Sequence, residues 1–204
     1  MRAEFTVNGE RVVVDVEPRK TLADALREDL GMTGTHLGCE HGVCGACTIL
    51  VDGGPVRACL MFAVQADGLS LTTVEGLSSD DGSMHPLQRA FCDRHGLQCG
   101  FCTPGMLMSA LDLLHREVEP SRERIREEMS GNICRCTGYV GIVDAVVDAA
   151  AELNSQAGYG ADILDVATED ECGDVITETE PADAVLTHSG TQAEVASGPE
   201  PRFT

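Results

Sequence analysis

The chain has 204 residues, a net charge of −20, ten cysteines, no tryptophan and 3 % aromatic residues. Phosphate repels so acidic a surface, and so few rings offer no stacking platform, which excludes a nucleic-acid binder. The N-terminus lacks a basic region followed by an apolar run, so no signal peptide is expected, and no apolar stretch is long enough to span a bilayer.

In chain order, Phe5–Val7 and Val12–Val16 flank Asn8-Gly9, a type I′ hairpin signal, with Val12, Val14 and Val16 expected on one face. Thr21 is expected to cap a short helix whose Leu22, Ala25, Leu26 and Leu30 share a face and which Gly31 ends. A loop carrying Cys39, Cys44 and Cys47 follows. Thr48–Val51 and Val56–Leu60 read as strands joined by a turn at Asp52-Gly53-Gly54-Pro55, with Cys59 in the second, and Leu69–Val74 as a last strand. These elements predict an α+β unit, a small mixed sheet packed on one helix.

Ser78–Ser83 reads as a polar linker, beyond which the apolar period changes from two to about 3.6. Four helices are expected: Pro86–His95, one opening at Pro104 with Met106, Leu107, Ala110, Leu111 and Leu114 inward, Arg122–Met129 behind a Ser121 cap, and Ile142–Leu153. From Ser155 onward, 11 carboxylates and one arginine, Arg202, supply half of the net charge. The apolar residues there (Ile163, Leu164, Val175, Ile176, Val185, Leu186) are too sparse for a core, so a disordered or partner-bound acidic tail is expected. The expected divisions are residues 1–76, 84–154 and 155–204.

Cys39, Cys44, Cys47 and Cys59 form C-x4-C-x2-C-x11-C, the plant-type [2Fe-2S] ligand pattern. Iron–sulfur chemistry selects soft thiolates, and glycines at 38, 42 and 45 let the backbone wrap closely around a cluster. A structural zinc site is the alternative. Cys99-Gly-Phe-Cys102 and Cys134-Arg-Cys136 each precede a predicted helix N-terminus, where the positive dipole end favours thiolate. Facing each other, they would make a second four-thiolate site; on spacing alone, zinc stays open there too. The cysteines are thus metal ligands in a reducing cytoplasm rather than disulfides.

Among the remaining candidates, Cys92 is expected to be a small buried apolar residue and Cys172 to have no role. His36 and His41 flank the first loop but are not expected as ligands, since all four cysteines are present; His41 could tune the potential by a hydrogen bond. Arg135 suits either a cofactor phosphate or acidic group on a partner, or a surface salt bridge. Phe101 and Tyr139 are expected to exclude water, and Met106, Met108, Leu111 and Leu113 to pack. No catalytic residue is expected in the chain.

The blocks Gln98-Cys-Gly-Phe-Cys-Thr-Pro-Gly-Met106 and Gly131-Asn-Ile-Cys-Arg-Cys-Thr-Gly-Tyr139, standing after the first cysteine set, resemble the iron–sulfur subunit of the molybdenum hydroxylase (xanthine oxidase) family. The resemblance covers about residues 1–154, with no departure at the eight ligand positions. It implies a plant-type ferredoxin-like (β-grasp) domain holding a distal [2Fe-2S] cluster and an all-α four-helix domain holding a proximal one. It further implies that Gln98 and Cys136 contact a molybdopterin cofactor on a large subunit, that a medium subunit carries FAD, and that the assembly is a dimer of heterotrimers. The competing readings are a free-standing two-cluster ferredoxin or redox sensor, and a zinc-stabilised interaction module. The substrate of such a complex (carbon monoxide, an aldehyde, a purine or an N-heterocycle) would be chosen on the large subunit.

Overall fold

The computed structural model of the chain describes residues 1–79 and 81–155. Cys172 and the acidic stretch after Ser155 lie outside the described residues, as does Asp80 of the linker.

Strands β1 (Arg2–Val7) and β2 (Glu10–Asp15) form the expected antiparallel hairpin, closing at Val7 opposite Glu10. Asn8 and Gly9 turn the chain with φ of 50° and 85°, the left-handed pair that a type I′ turn requires. β1 starts earlier than its apolar run because Ala3, buried beside Phe5, and Arg2 still find partners in Val14 and Asp15.

Thr21 caps as expected, its Oγ1 accepting the Asp24 N–H at 3.1 Å. The helix differs from a regular one: α1 (Leu22–Asp24) widens at once into a loose turn over Ala25–Asp29, closed by the Leu30 N–H on the Ala25 carbonyl at 3.2 Å. Leu22, Ala25 and Leu26 are nevertheless all buried, as their spacing predicts.

β3 (Thr48–Val51) and β4 (Gly54–Arg57) are joined by Asp52-Gly53 alone, so Gly54 and Pro55 belong to the strand rather than the turn. Proline is tolerated because β4 is an edge strand. Ala58–Leu60, expected to extend β4, instead bends away, the Leu60 N–H bonding back to the Arg57 carbonyl at 2.9 Å. β5 (Ser70–Thr72) is shorter than expected because only two of its residues pair on either side. The sheet order is β2-β1-β5-β3-β4, with β1 and β5 parallel and every other pair antiparallel.

The four expected helices are present as α2 (Pro86–Asp93), α3 (Thr103–Arg116), α4 (Arg122–Met129) and α5 (Val140–Ser155). α5 begins two residues before Ile142, since exposed Val140 adds nothing to the inward periodicity. Leu87, Ala90 and Phe91 fill the inward face of α2, which turns Cys92 outward; it is exposed, against expectation.

Two apolar clusters meet at β3. Ile49 joins Phe5, Leu22, Leu26 and Leu71 under the sheet and α1. Its neighbour Leu50 points the other way, into the core of Phe91, Met106, Met108, Leu113, Ile125 and Ile142. A strand buried on both faces thus joins sheet to helices. It begins one residue after Cys47, which ties the first cysteine loop to α3.

Candidate metal centres

The loop from Cys39 to Cys47 curls through left-handed residues Glu40, Gly42 and Gly45, with φ of 54°, 76° and 74°. The curl turns N–H groups inward: those of Cys44 and His41 donate to Cys39 Sγ at 3.3 and 3.4 Å. The Cys44 N–H, then that of His41, holds the Cys39 thiol down at about 6. Cys47 lies deeper, and burial pushes its thiol up to about 11. The thiols meet as Cys39 with Cys44 and Cys47 with Cys59.

The second set repeats this plan. Cys136 Sγ lies 3.5 Å from Cys99 Sγ, and the Cys102 and Cys134 thiols lie near enough to shift one another's ionisation. Cys102 is the N-cap of α3, and Cys136 precedes α5 by four residues. Burial pushes Cys102 up to about 12. Burial also raises Cys134, but the Thr137 hydroxyl at 3.2 Å and nearby backbone N–H groups outweigh it, and the net shift is downward. The Phe101 N–H lowers Cys99, whereas sharing a hydrogen bond with Cys99 raises Cys136.

Each set thus has an inner, buried pair (Cys47 with Cys59, Cys102 with Cys134) and an outer pair nearer the surface (Cys39 with Cys44, Cys99 with Cys136). Among the described residues no three His, Cys, Asp or Glu converge closely enough to hold a single ion. Thiols meeting in twos suit a binuclear cluster, in which each iron would take two thiolates, and N–H groups aimed at sulfur would stabilise that charge.

Other expected residues fall as follows. His41 faces Cys39 Sγ with its backbone N–H, while its ring contacts the Cys39 carbonyl. His36 Nδ1 bonds the Phe101 carbonyl at 2.8 Å and stacks on that ring at 5.0 Å. Phe101 is 47 % exposed, so it covers the loop only from one side. Tyr139 braces the second loop, its hydroxyl donating to the Asn132 carbonyl at 3.0 Å and accepting the Cys134 N–H at 2.8 Å. Gln98 and Arg135 are exposed. Asn132, Ser109, Arg57 and Thr137, which bridge or brace the two loops, carry no sequence signal that separates them from ordinary polar residues.

A ferredoxin-like sheet unit and a helical unit, each carrying one set of four thiols, mark the class of two-domain iron–sulfur proteins. Residues 5–72 match the family model of the 2Fe-2S iron–sulfur cluster binding domain and residues 73–147 that of the [2Fe-2S] binding domain. The chain is 57 % identical over 155 residues to the nicotine 6-hydroxylase small subunit of Paenarthrobacter nicotinovorans, covering 76 % of this chain and 93 % of that one. It is also 57 % identical over 147 residues to the caffeine dehydrogenase subunit gamma of a Pseudomonas species, covering 70 % and 86 %. Quinoline 2-oxidoreductase of Pseudomonas putida 86 superposes with a TM-score of 0.74 at 56 % identity, over 77 % of this chain and 97 % of that one. The chain belongs to the iron–sulfur small subunits of the molybdenum hydroxylase family, and its role is electron transfer within an oxidoreductase complex.

Proposed function

We propose that Cys39, Cys44, Cys47 and Cys59 hold one [2Fe-2S] cluster and Cys99, Cys102, Cys134 and Cys136 the other. The chain then links a molybdopterin cofactor on a large subunit to FAD on a medium subunit. The two-by-two meeting of the thiols in both sets carries this reading. When bound, the clusters supply one-electron redox chemistry. The chain's own residues ligate them, aim the Cys44, His41 and Phe101 N–H groups at sulfur, and bury the inner pair of each set.

Gln98 and Cys136, both exposed beside the second site, are the residues that reach the pterin, which makes that cluster the proximal one. The ferredoxin-like unit spans 1–76 and the helical unit 84–154. Around the loops Val43, Leu60, Phe101 and Ile133 stand exposed, an apolar surface of the kind that partner subunits cover. The assembly is a dimer of heterotrimers in the cytoplasm; no helix among the described residues is long and apolar enough to cross a membrane. Nicotine, caffeine and quinoline, named for the relatives above, are all nitrogen heterocycles, and the complex is assigned a substrate of that class.

Cys44→Ser and Cys102→Ser test the ligand sets. Each variant is expected to abolish one of two distinguishable EPR signals in the reduced complex. If either variant retains both signals, the assignment is wrong.

A further inference from the structure

The two cysteine loops are stitched together by a polar junction centred on Asn132, whose side chain is 1 % exposed. Its Nδ2 donates to the Gly45 carbonyl in the first loop at 3.0 Å and approaches Thr48 Oγ1, at the start of β3, at 3.5 Å. Its Oδ1 accepts from the Ser109 hydroxyl, midway along α3, at 2.9 Å. Its backbone carbonyl accepts from Tyr139, which braces the second loop. On either side the backbone joins in. The Gly131 carbonyl takes Arg57 Nη2 at 2.6 Å, and the Ile133 N–H donates to the Cys44 carbonyl at 2.8 Å.

A buried amide is costly unless satisfied, and this one is satisfied by groups 87 and 23 residues away in sequence. Fully satisfied buried networks fix a unique arrangement. A neutral amide meets both demands at any ordinary pH: one end donates to a carbonyl and the other accepts from a hydroxyl, which an ionised carboxylate cannot do. The arrangement fixed is the separation of the loops. Cys44 leads through its own carbonyl and one hydrogen bond to Ile133, which is covalently joined to Cys134.

We propose that Asn132 is the positioning residue that sets the distance, and hence the electronic coupling, between the two clusters. This rests on the ligand assignment made above. The step served is transfer of one electron from the reduced proximal cluster to the oxidised distal one. The donor is oxidised by one electron and the acceptor reduced by one, with no proton moved and no covalent bond broken. Tunnelling rates fall steeply with gap length, so a loosened junction acts on the rate without touching a ligand.

The test uses the cluster-loaded full chain in its co-purified complex, reduced with dithionite for EPR and left oxidised for flash reduction. EPR reads the signal of each cluster and the dipolar interaction between them, and flash reduction reads the intercluster rate. Asn132→Asp turns a lone pair toward the Gly45 carbonyl, while Ser109→Ala removes only the hydroxyl that anchors the amide. Both signals are expected to survive in each variant. The dipolar interaction weakens and the transfer rate falls several-fold in Asn132→Asp, with a smaller change in Ser109→Ala. Should Asn132→Asp fail to fold, the same two readouts on Ser109→Ala decide the matter. A merely structural asparagine would lower the melting temperature and leave interaction and rate at wild-type values, which would overturn the proposal. Wild-type protein lacking one of the two signals would overturn the ligand assignment and this proposal with it.

Discussion

Gly105, in the first turn of α3, offers a prediction whose sign depends on tertiary contact. In an isolated helix Gly→Ala stabilises by about 0.8–1.0 kcal/mol. Here an added methyl would meet the Gly45 carbonyl oxygen well inside contact distance, with the Ala46 carbonyl and Asn132 Nδ2 both at 3.1 Å. Those carbonyls cannot swing aside as a flexible side chain would. Gly45 O is held by the Thr48 N–H at 3.1 Å and by the Asn132 amide. Either α3 or the first cysteine loop must shift, and overpacking of this kind costs about 1–3 kcal/mol. Setting the helix gain against the upper part of that range leaves Gly105→Ala less stable by roughly 1–2 kcal/mol. For a fold of this size that is a Tm lower by about 2–8 °C. A circular-dichroism melt of the apo chain measures it, and iron content reports whether the loop still loads. An unchanged or raised Tm would refute the argument, because helix propensity would then have outweighed the contact.

Two further predictions concern the helix starts. His85 caps α2 with its ring Nδ1, which accepts the Leu87 N–H at 3.2 Å and so must be unprotonated. Burial, then His115 and Arg89, holds His85 below the ordinary imidazole value, and burial does the same for His115. With folded values depressed, the unfolded chain takes up protons more readily. The stability they contribute is therefore complete above the unfolded value of 6.5 and is lost as pH falls toward the folded values. Tm should fall on acidification from about pH 8 to pH 5. His85→Ser, which keeps a capping oxygen without an ionisable ring, should flatten that slope; an equal slope in the variant removes His85 as its source. Thr21→Ala deletes the cap of α1 and should cost about 1 kcal/mol. That loss reads as about 2–4 °C in Tm, and an unmoved transition would mean the bond to Asp24 contributes nothing.

What could be read along the chain was whatever depends on neighbours in sequence. Asn8-Gly9 specifies its turn because two left-handed residues in succession leave little choice. The starts of α3 and α4 follow from Pro104 and Ser121, whereas α1 gives way at Asp24 and α2 stops at Asp93, both short of the glycines expected to end them. Misreadings came where a distant partner overrides a local rule. Pro55 looks like a turn residue, yet it stands in β4 opposite Leu50, because an edge strand needs no N–H there. Cys92 looked like a core residue, but Phe91 had already taken the inward position on α2.

Spacing alone could not tell two binuclear sites from two zinc sites, nor say which thiol faces which. The pairs Cys99 with Cys136 and Cys102 with Cys134 span more than thirty residues, and only the gathering of α3 and α5 around one apolar core brings them together. Asn132 marks the limit most clearly. As a letter after Gly131 it is a helix stop; in the fold its buried amide bonds Gly45 and Ser109 while its backbone carbonyl accepts from Tyr139. Local sequence determined the Asn8-Gly9 turn, the cap at Thr21 and the starts of α3 and α4, because those obey short-range sterics and capping chemistry. The distance between the two sites was decided by the tertiary fold alone, since it is set by hydrogen bonds between segments that no sequence window contains together.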